Sequence, residues 1–142
     1  MNKKAENFQK FIDEKHPNIF DVEEIPNDAQ NTTVFRSSIT IAGQRLLAMV
    51  IIDDSIFTIL RVQILPQAVT EENQAALFEL MNEQNKGYKP FKLYINDNKD
   101  LMIDTCLTVI TDDIDGEIVY TLFDVIITYL NNSYRKIMKV VW

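Results

Sequence analysis

Thr111-Asp112-Asp113-Ile114-Asp115-Gly116-Glu117 comes nearest in this sequence to a site with chemistry, because acidic side chains alternating ahead of a glycine echo a calcium-binding loop. The register defeats that reading. With Gly116 as the loop glycine, the first ligand position falls on Thr111 and the last, which needs a bidentate glutamate, on Leu122. The segment reads instead as an acidic turn where a helix dipole favours anions. Asp53-Asp54 and the Asn96 to Asp100 segment also cluster acids, but in tight turns where Asn and Asp hydrogen-bond their own backbone. His16, the only histidine, stands beside Pro17 at a helix end and far in sequence from Cys106, the only cysteine, so no nucleophile and base are paired by spacing. His16 reads as a solvated helix terminus, and Cys106 as a strand residue behaving like a small apolar side chain. Gly43, Gly87 and Gly116 are scattered singly, which leaves no loop to cradle a phosphate. No catalytic residue, no metal site and no cofactor are expected.

Arginines are the other residues of chemical interest. Arg36, Arg45 and Arg61 fall within or beside strands, where an unpaired cation is expensive. They either line a polar sheet surface that grips an acidic peptide or pair with Asp53, Asp54 or Asp104. Arg135, Lys136 and Lys139, near Tyr134 and Trp142, form the one concentrated basic patch, and complementing the negative end of a helix explains it better than nucleic acid does.

The chain that must position these groups has 142 residues, 46% of them hydrophobic, with 14 Lys plus Arg against 21 Asp plus Glu. That length predicts one domain over residues 1–142, burying roughly 70% of its unfolded surface without a disulfide or metal. A net charge of -7 repels nucleic acid and anionic lipid alike. No apolar run approaches the ~18 residues of a membrane span, the N-terminal MNKKAENFQKFIDEKH lacks the apolar core of a secretory signal, and a lone cysteine fits a reducing compartment. A cytoplasmic protein with neither membrane nor nucleic-acid partners is expected.

Spacing then divides the chain. Phe8, Phe11 and Ile12 predict a first helix over residues 3 to 15, stopped by His16 and Pro17. Its lysines sit at the positive end and its acids at the negative end, so it should depend on docking. Residues 17 to 31 read as an irregular connection with room for a short extended piece at Ile19 to Val22. Thr33 to Ala42, Arg45 to Ile52 and Ser55 to Leu65 predict an antiparallel meander turning at Gly43-Gln44 and Asp53-Asp54. The middle strand, Leu46 to Ile52, is apolar on both faces, which places it centrally in the sheet or under a partner. Thr70 with Glu71 and Glu72 marks a helix start, running to about Asn85 with Gly87 as its stop. A second hairpin follows, from Phe91 to Ile95 and from Leu101 to Val109. The last helix, from about Glu117 to Val140, carries two apolar stripes, one through Tyr120, Phe123, Ile127 and Leu130 and the other through Val119, Leu122 and Ile126. The prediction is an α+β fold with a five-stranded antiparallel sheet and three helices in the order α-βββ-α-ββ-α.

Two stretches carry a family resemblance. NEQNKGYKPFKLYINDNKDLMIDTCL, from Asn82 to Leu107, taken with the earlier VFRSSITIAGQRLLAMVIIDDSIFTILRVQI, resembles the YbjN family of bacterial sensory transduction regulators, whose domain is similar to the fold of class I type III secretion chaperones. The resemblance spans most of the chain and includes no catalytic signature. It implies an interaction or regulatory role, dimerisation, and an extended segment of a partner wrapped over the surface. A shared fold by itself implies no secretion apparatus.

The resulting expectation is a non-enzymatic domain that binds a peptide or protein partner through surplus apolar surface and forms a homodimer. Candidate contacts are Arg36, Arg61, Phe78, Tyr88, Phe91, Tyr94, Tyr120 and Phe123. The alternative is a sensor of a small molecule or nucleotide, with a pocket between sheet and helices and the strand arginines holding an anionic ligand.

Overall fold

Asn2 caps the first helix, α1 (Lys3–Lys15), its side chain accepting from the Ala5 N–H at 2.8 Å. The unfavourable charge order is answered by docking: Ala5, Phe8 and Ile12 are buried, and Lys4 is buried too, its Nζ donating to the Ser55 carbonyl. The chain was traced in a computed structural model describing residues 1–142, and its next elements form one antiparallel sheet. These are β1 (Asp21–Glu24), β2 (Thr33–Ile41), β3 (Gln44–Ile52), β4 (Phe57–Leu65), β5 (Lys92–Ile95) and β6 (Leu101–Thr108), in the spatial order β1-β2-β3-β4-β6-β5. The other helices are α2 (Gln74–Gly87) and α3 (Gly116–Val141).

The sheet therefore has six strands, not five. The additional one, β1, pairs with Thr33 to Arg36 of β2. Four residues are too few to display alternation, and only Val22 of them packs against the core. Positive φ at Asn18, Asn27 and Asn31 provides the bends on either side, a conformation asparagine adopts more readily than most residues. The β2–β3 turn is one residue earlier than expected. Ala42 (φ 50) and Gly43 (φ 77) occupy it, both left-handed as a two-residue hairpin of matched twist requires.

Helix α2 begins at Gln74 rather than at Thr70. The Thr70 N–H donates to Asn73 Oδ1 at 2.8 Å and the Asn73 N–H to Thr70 Oγ1 at 3.2 Å, so this reciprocal pair closes a turn ahead of the helix instead of capping it. At the other end Gly87 is the last helical residue, and the chain leaves through an extended Tyr88 with no left-handed glycine stop. Helix α3 starts at the expected acidic turn, with Asp115 Oδ1 accepting from the Glu117 N–H at 3.0 Å. Gly116 meets α1 so closely that a Cβ there would overlap the Phe11 ring.

All three helices lie on one face of the sheet. Phe8, Leu77, Val119, Phe123, Ile126 and Leu130 belong to the same cluster of 28 buried residues as Phe35, Val50, Leu60 and Ile103 from the strands. Both stripes of α3 are used inside the protomer, because the helix packs against α1, α2 and the sheet at once. Little of the surplus apolar surface expected on that helix remains, chiefly Ile118 and Val125, 44% and 38% exposed. Most of the surplus lies on the opposite face of the sheet.

Candidate protein-interaction site

Side chains alternate across a strand, so the residues of β2, β3, β4 and β6 that do not face the helices make a second surface. Strand pairing sets them in rows. One row runs Val34, Ile51, Ile59 and Cys106, and the next runs Asp21, Arg36, Met49, Arg61, Asp104 and Lys92. Leu47 extends the apolar area on β3, Phe57 on β4 and Met102 on β6. None of Val34, Leu47, Met49, Ile51, Phe57, Ile59 or Met102 belongs to the helix-side core, and Leu47 and Phe57 remain 37% and 50% exposed. Val34 and Met102 are themselves buried, so the accessible part of the face is carried by Leu47 and Phe57 with the half-buried Met49, Ile51 and Ile59. This is the second apolar face of β3 that its sequence displays. The strand is indeed internal to the sheet, and its outer side lies open.

Charges on the face are matched in place. Arg61 binds Asp104 with a fork of two bonds, Nε to Oδ1 and Nη2 to Oδ2, both 2.9 Å. Tyr94 Oη donates to Asp104 Oδ1 at 3.1 Å, and the Arg61 guanidinium lies 5.9 Å from the Tyr94 ring centre. Arg36 donates to Glu23 at 2.6 Å and Arg45 to Ser38 Oγ at 3.0 Å. Pairing, anticipated with Asp53, Asp54 or Asp104, thus accounts for both arginines singled out as contacts, with Asp104 the partner of Arg61 and Glu23, outside that set, the partner of Arg36. Burial, followed by the Asp104 charge, pushes the Tyr94 phenol up to about 12. Cys106 is exposed on this face rather than buried as a small apolar residue. Partial desolvation and the Asp104 charge raise its thiol pKa, which keeps it protonated and poorly nucleophilic.

The remaining candidate contacts do not converge. Arg36, Arg61 and Tyr94 share the open face, but Phe78 is exposed on α2 and Tyr88 lies in the α2–β5 connection, 5.1 Å from the Phe91 ring and 4.8 Å from that of Tyr129. Phe91 and Phe123 are core residues, 2% and 7% exposed. Tyr120 is half-buried beside His16, with ring centres 4.3 Å apart. His16 is accordingly packed and not simply solvated. The residues that build the face are chiefly the aliphatics Leu47, Met49, Ile51 and Ile59, and the signal that could have found them is their shared strand phase.

A hollow of about 130 Å³ lies between β2, β3 and α3, lined by Ile39, Ala48, Tyr120, Phe123 and Ile127 and by no arginine. Arg36 and Arg45 line a separate hollow of about 290 Å³ with Asp21 and Leu47, and Arg61 lines neither. A groove of about 390 Å³ does run along α3, between Tyr88 and Phe91 on one side and Thr121, Asp124, Thr128 and Asn132 on the other. Its charged residue is Asp124, the wrong sign for an anionic ligand.

No helix is long and apolar enough to cross a membrane. Comparison with protein-family models and with curated proteins returned no match.

Proposed function

We propose that this chain is a non-enzymatic, cytoplasmic protein-interaction domain of regulatory character, and that it works as a homodimer joined through the open face of its sheet. The observation that carries the reading is the apolar area made by Leu47, Met49, Ile51, Phe57 and Ile59, which no helix of the protomer covers. Two arguments favour a second copy as its occupant. The four longer strands, about 4.8 Å apart with about 3.3 Å per residue, make a plane of roughly 19 by 30 Å. That is on the order of 570 Å², at the lower edge of the roughly 600–1,000 Å² per partner of standard specific interfaces. Charge supplies the other. The chain carries -7, yet this face sets Arg36, Arg45, Arg61 and Lys92 against Asp21, Glu23 and Asp104, so two copies meet where their shared negative excess is missing. The YbjN-like resemblance fits a regulatory dimer of this kind.

Sedimentation velocity tests the proposal. The expected species has twice the 16.5 kDa protomer mass, and Met49→Glu returns it to the monomer with its circular dichroism unchanged. A wild-type chain that stays monomeric up to roughly 100 µM would overturn the dimer.

A further inference from the structure

The β3–β4 turn and the β6–α3 loop meet at one end of the molecule. The Val109 N–H donates to the Ile56 carbonyl at 2.6 Å, while Asn7 of α1 donates to the Asp112 carbonyl at 2.8 Å and to Asp113 Oδ1 at 2.9 Å. These bonds hold both loops in place. On them, and at the adjoining ends of β4 and α3, stand Ile110, 81% exposed, with Phe57, Ile56 and Ile118 each between 44% and 50% exposed. Phe57 pairs across the strands with Thr108, and Ile110 and Ile118 line a common hollow of about 240 Å³ with Asp113 and Asp115. Large apolar side chains fixed in water on tethered loops are a preorganised contact surface.

The rim of this surface is mainly acidic, the Met1 ammonium near Asp54 being paired with Glu24. Asp53, Asp54, Asp112, Asp113, Asp115 and Glu117 stand in the same loops and the first turn of α3, and none of them is in an ion pair. Lys4, which reaches this end, is buried with its Nζ committed to the Ser55 carbonyl. An anionic lipid surface or a nucleic acid would meet repulsion here. We infer that this acid-rimmed apolar tip docks a basic amphipathic protein segment, in which a few aliphatic or aromatic side chains are flanked by Lys or Arg. The inference rests on the reading of the chain as a protein-binding domain, but its surface lies beside the dimer face and shares only Phe57, at the border, with it.

Fluorescence anisotropy with a labelled amphipathic Leu/Lys peptide of about four helical turns, and with its Leu/Glu counterpart, tests it. The Leu/Lys peptide binds and the Leu/Glu peptide does not. Ile110→Ser, at a side chain that packs against almost nothing, weakens binding about tenfold. The triple variant Asp112→Asn, Asp113→Asn, Glu117→Gln weakens it about as much and flattens its salt dependence. Neutralising Glu71, Glu72 and Glu79 on and ahead of α2 leaves binding unchanged. Equal weakening by that α2 set, no effect of Ile110→Ser, or no binding of the Leu/Lys peptide would each overturn the inference. Met49→Glu separates the two proposals, because it dissociates the dimer and leaves tip binding intact. A monomeric wild type that binds the peptide at the tip sinks the dimer alone, and a dimer that ignores the peptide sinks the tip alone.

Discussion

Removing the Asp104 carboxylate should cost the protein twice, by different amounts in two settings. In the protomer the Arg61 and Asp104 side chains are 32% and 20% exposed, so water still screens the pair. Surface ion pairs contribute at most about 1 kcal/mol, and Asp104→Ala should lower protomer stability by about that much. Under a second sheet the remaining water leaves, and Arg61 would be buried with no partner for its charge. Truncating one side of a buried, hydrogen-bonded charge pair costs about 2–5 kcal/mol. A two-fold interface carries the substitution on both copies, so dimerisation should weaken by at least about 4 kcal/mol, roughly a thousandfold in dissociation constant. Urea unfolding at a concentration where the protein is monomeric measures the first quantity, and sedimentation over a concentration series measures the second. If association is unchanged while protomer stability falls, the Arg61–Asp104 pair lies outside any interface and the reasoning from the open face fails.

Three further outcomes are expected. Asn73→Ala removes the side-chain bonds to the Ala68 carbonyl (2.8 Å), the Val141 carbonyl (3.0 Å) and the Thr70 N–H (2.8 Å), and at about 1 kcal/mol for each it should cost about 3 kcal/mol, or roughly 10 °C in melting temperature. Gly116→Ala should destabilise by about 1–3 kcal/mol in urea unfolding, and less in a background of Phe11→Ala, because the added methyl overlaps that ring. Tyr94 and Tyr129, both pushed up to about 12 first by burial, favour the neutral phenol in the folded state. Their contribution is complete below the unfolded value of 10 and lost as pH rises from 10 through about 12, so urea midpoints should fall across that window and Tyr94→Phe with Tyr129→Phe should flatten the decline.

Much of the fold was legible because long elements repeat their signal. Strands β2 to β4 each run nine residues, and α3 shows its apolar spacing over seven turns, so both types could be read from period alone. Strand β1, read only as a short extended piece at Ile19 to Val22, gave no such signal, with one apolar residue in four. The start of α2 was misplaced because the Thr70 hydroxyl does accept a backbone N–H, yet in a turn that precedes the helix. The interaction face was half legible. The two apolar phases of β3 announced it, but whether helices cover one face or both depends on contacts between distant segments, which no local period records. Choosing contacts by ring size then led to Phe91 and Phe123, because large aromatics bury the most area and fill cores first.

The outermost strands, β1 and β5, are four residues each, and β1 is mostly acidic while β5 opens with a lysine. They leave little continuous main chain for another strand to extend, which discourages stacking side by side into a ribbon. Growth is thereby confined to the direction perpendicular to the plane of the sheet. A flat surface that one neighbour fills completely has no vacancy left for a third, so assembly of this protein should stop at a closed pair and not continue into a fibre.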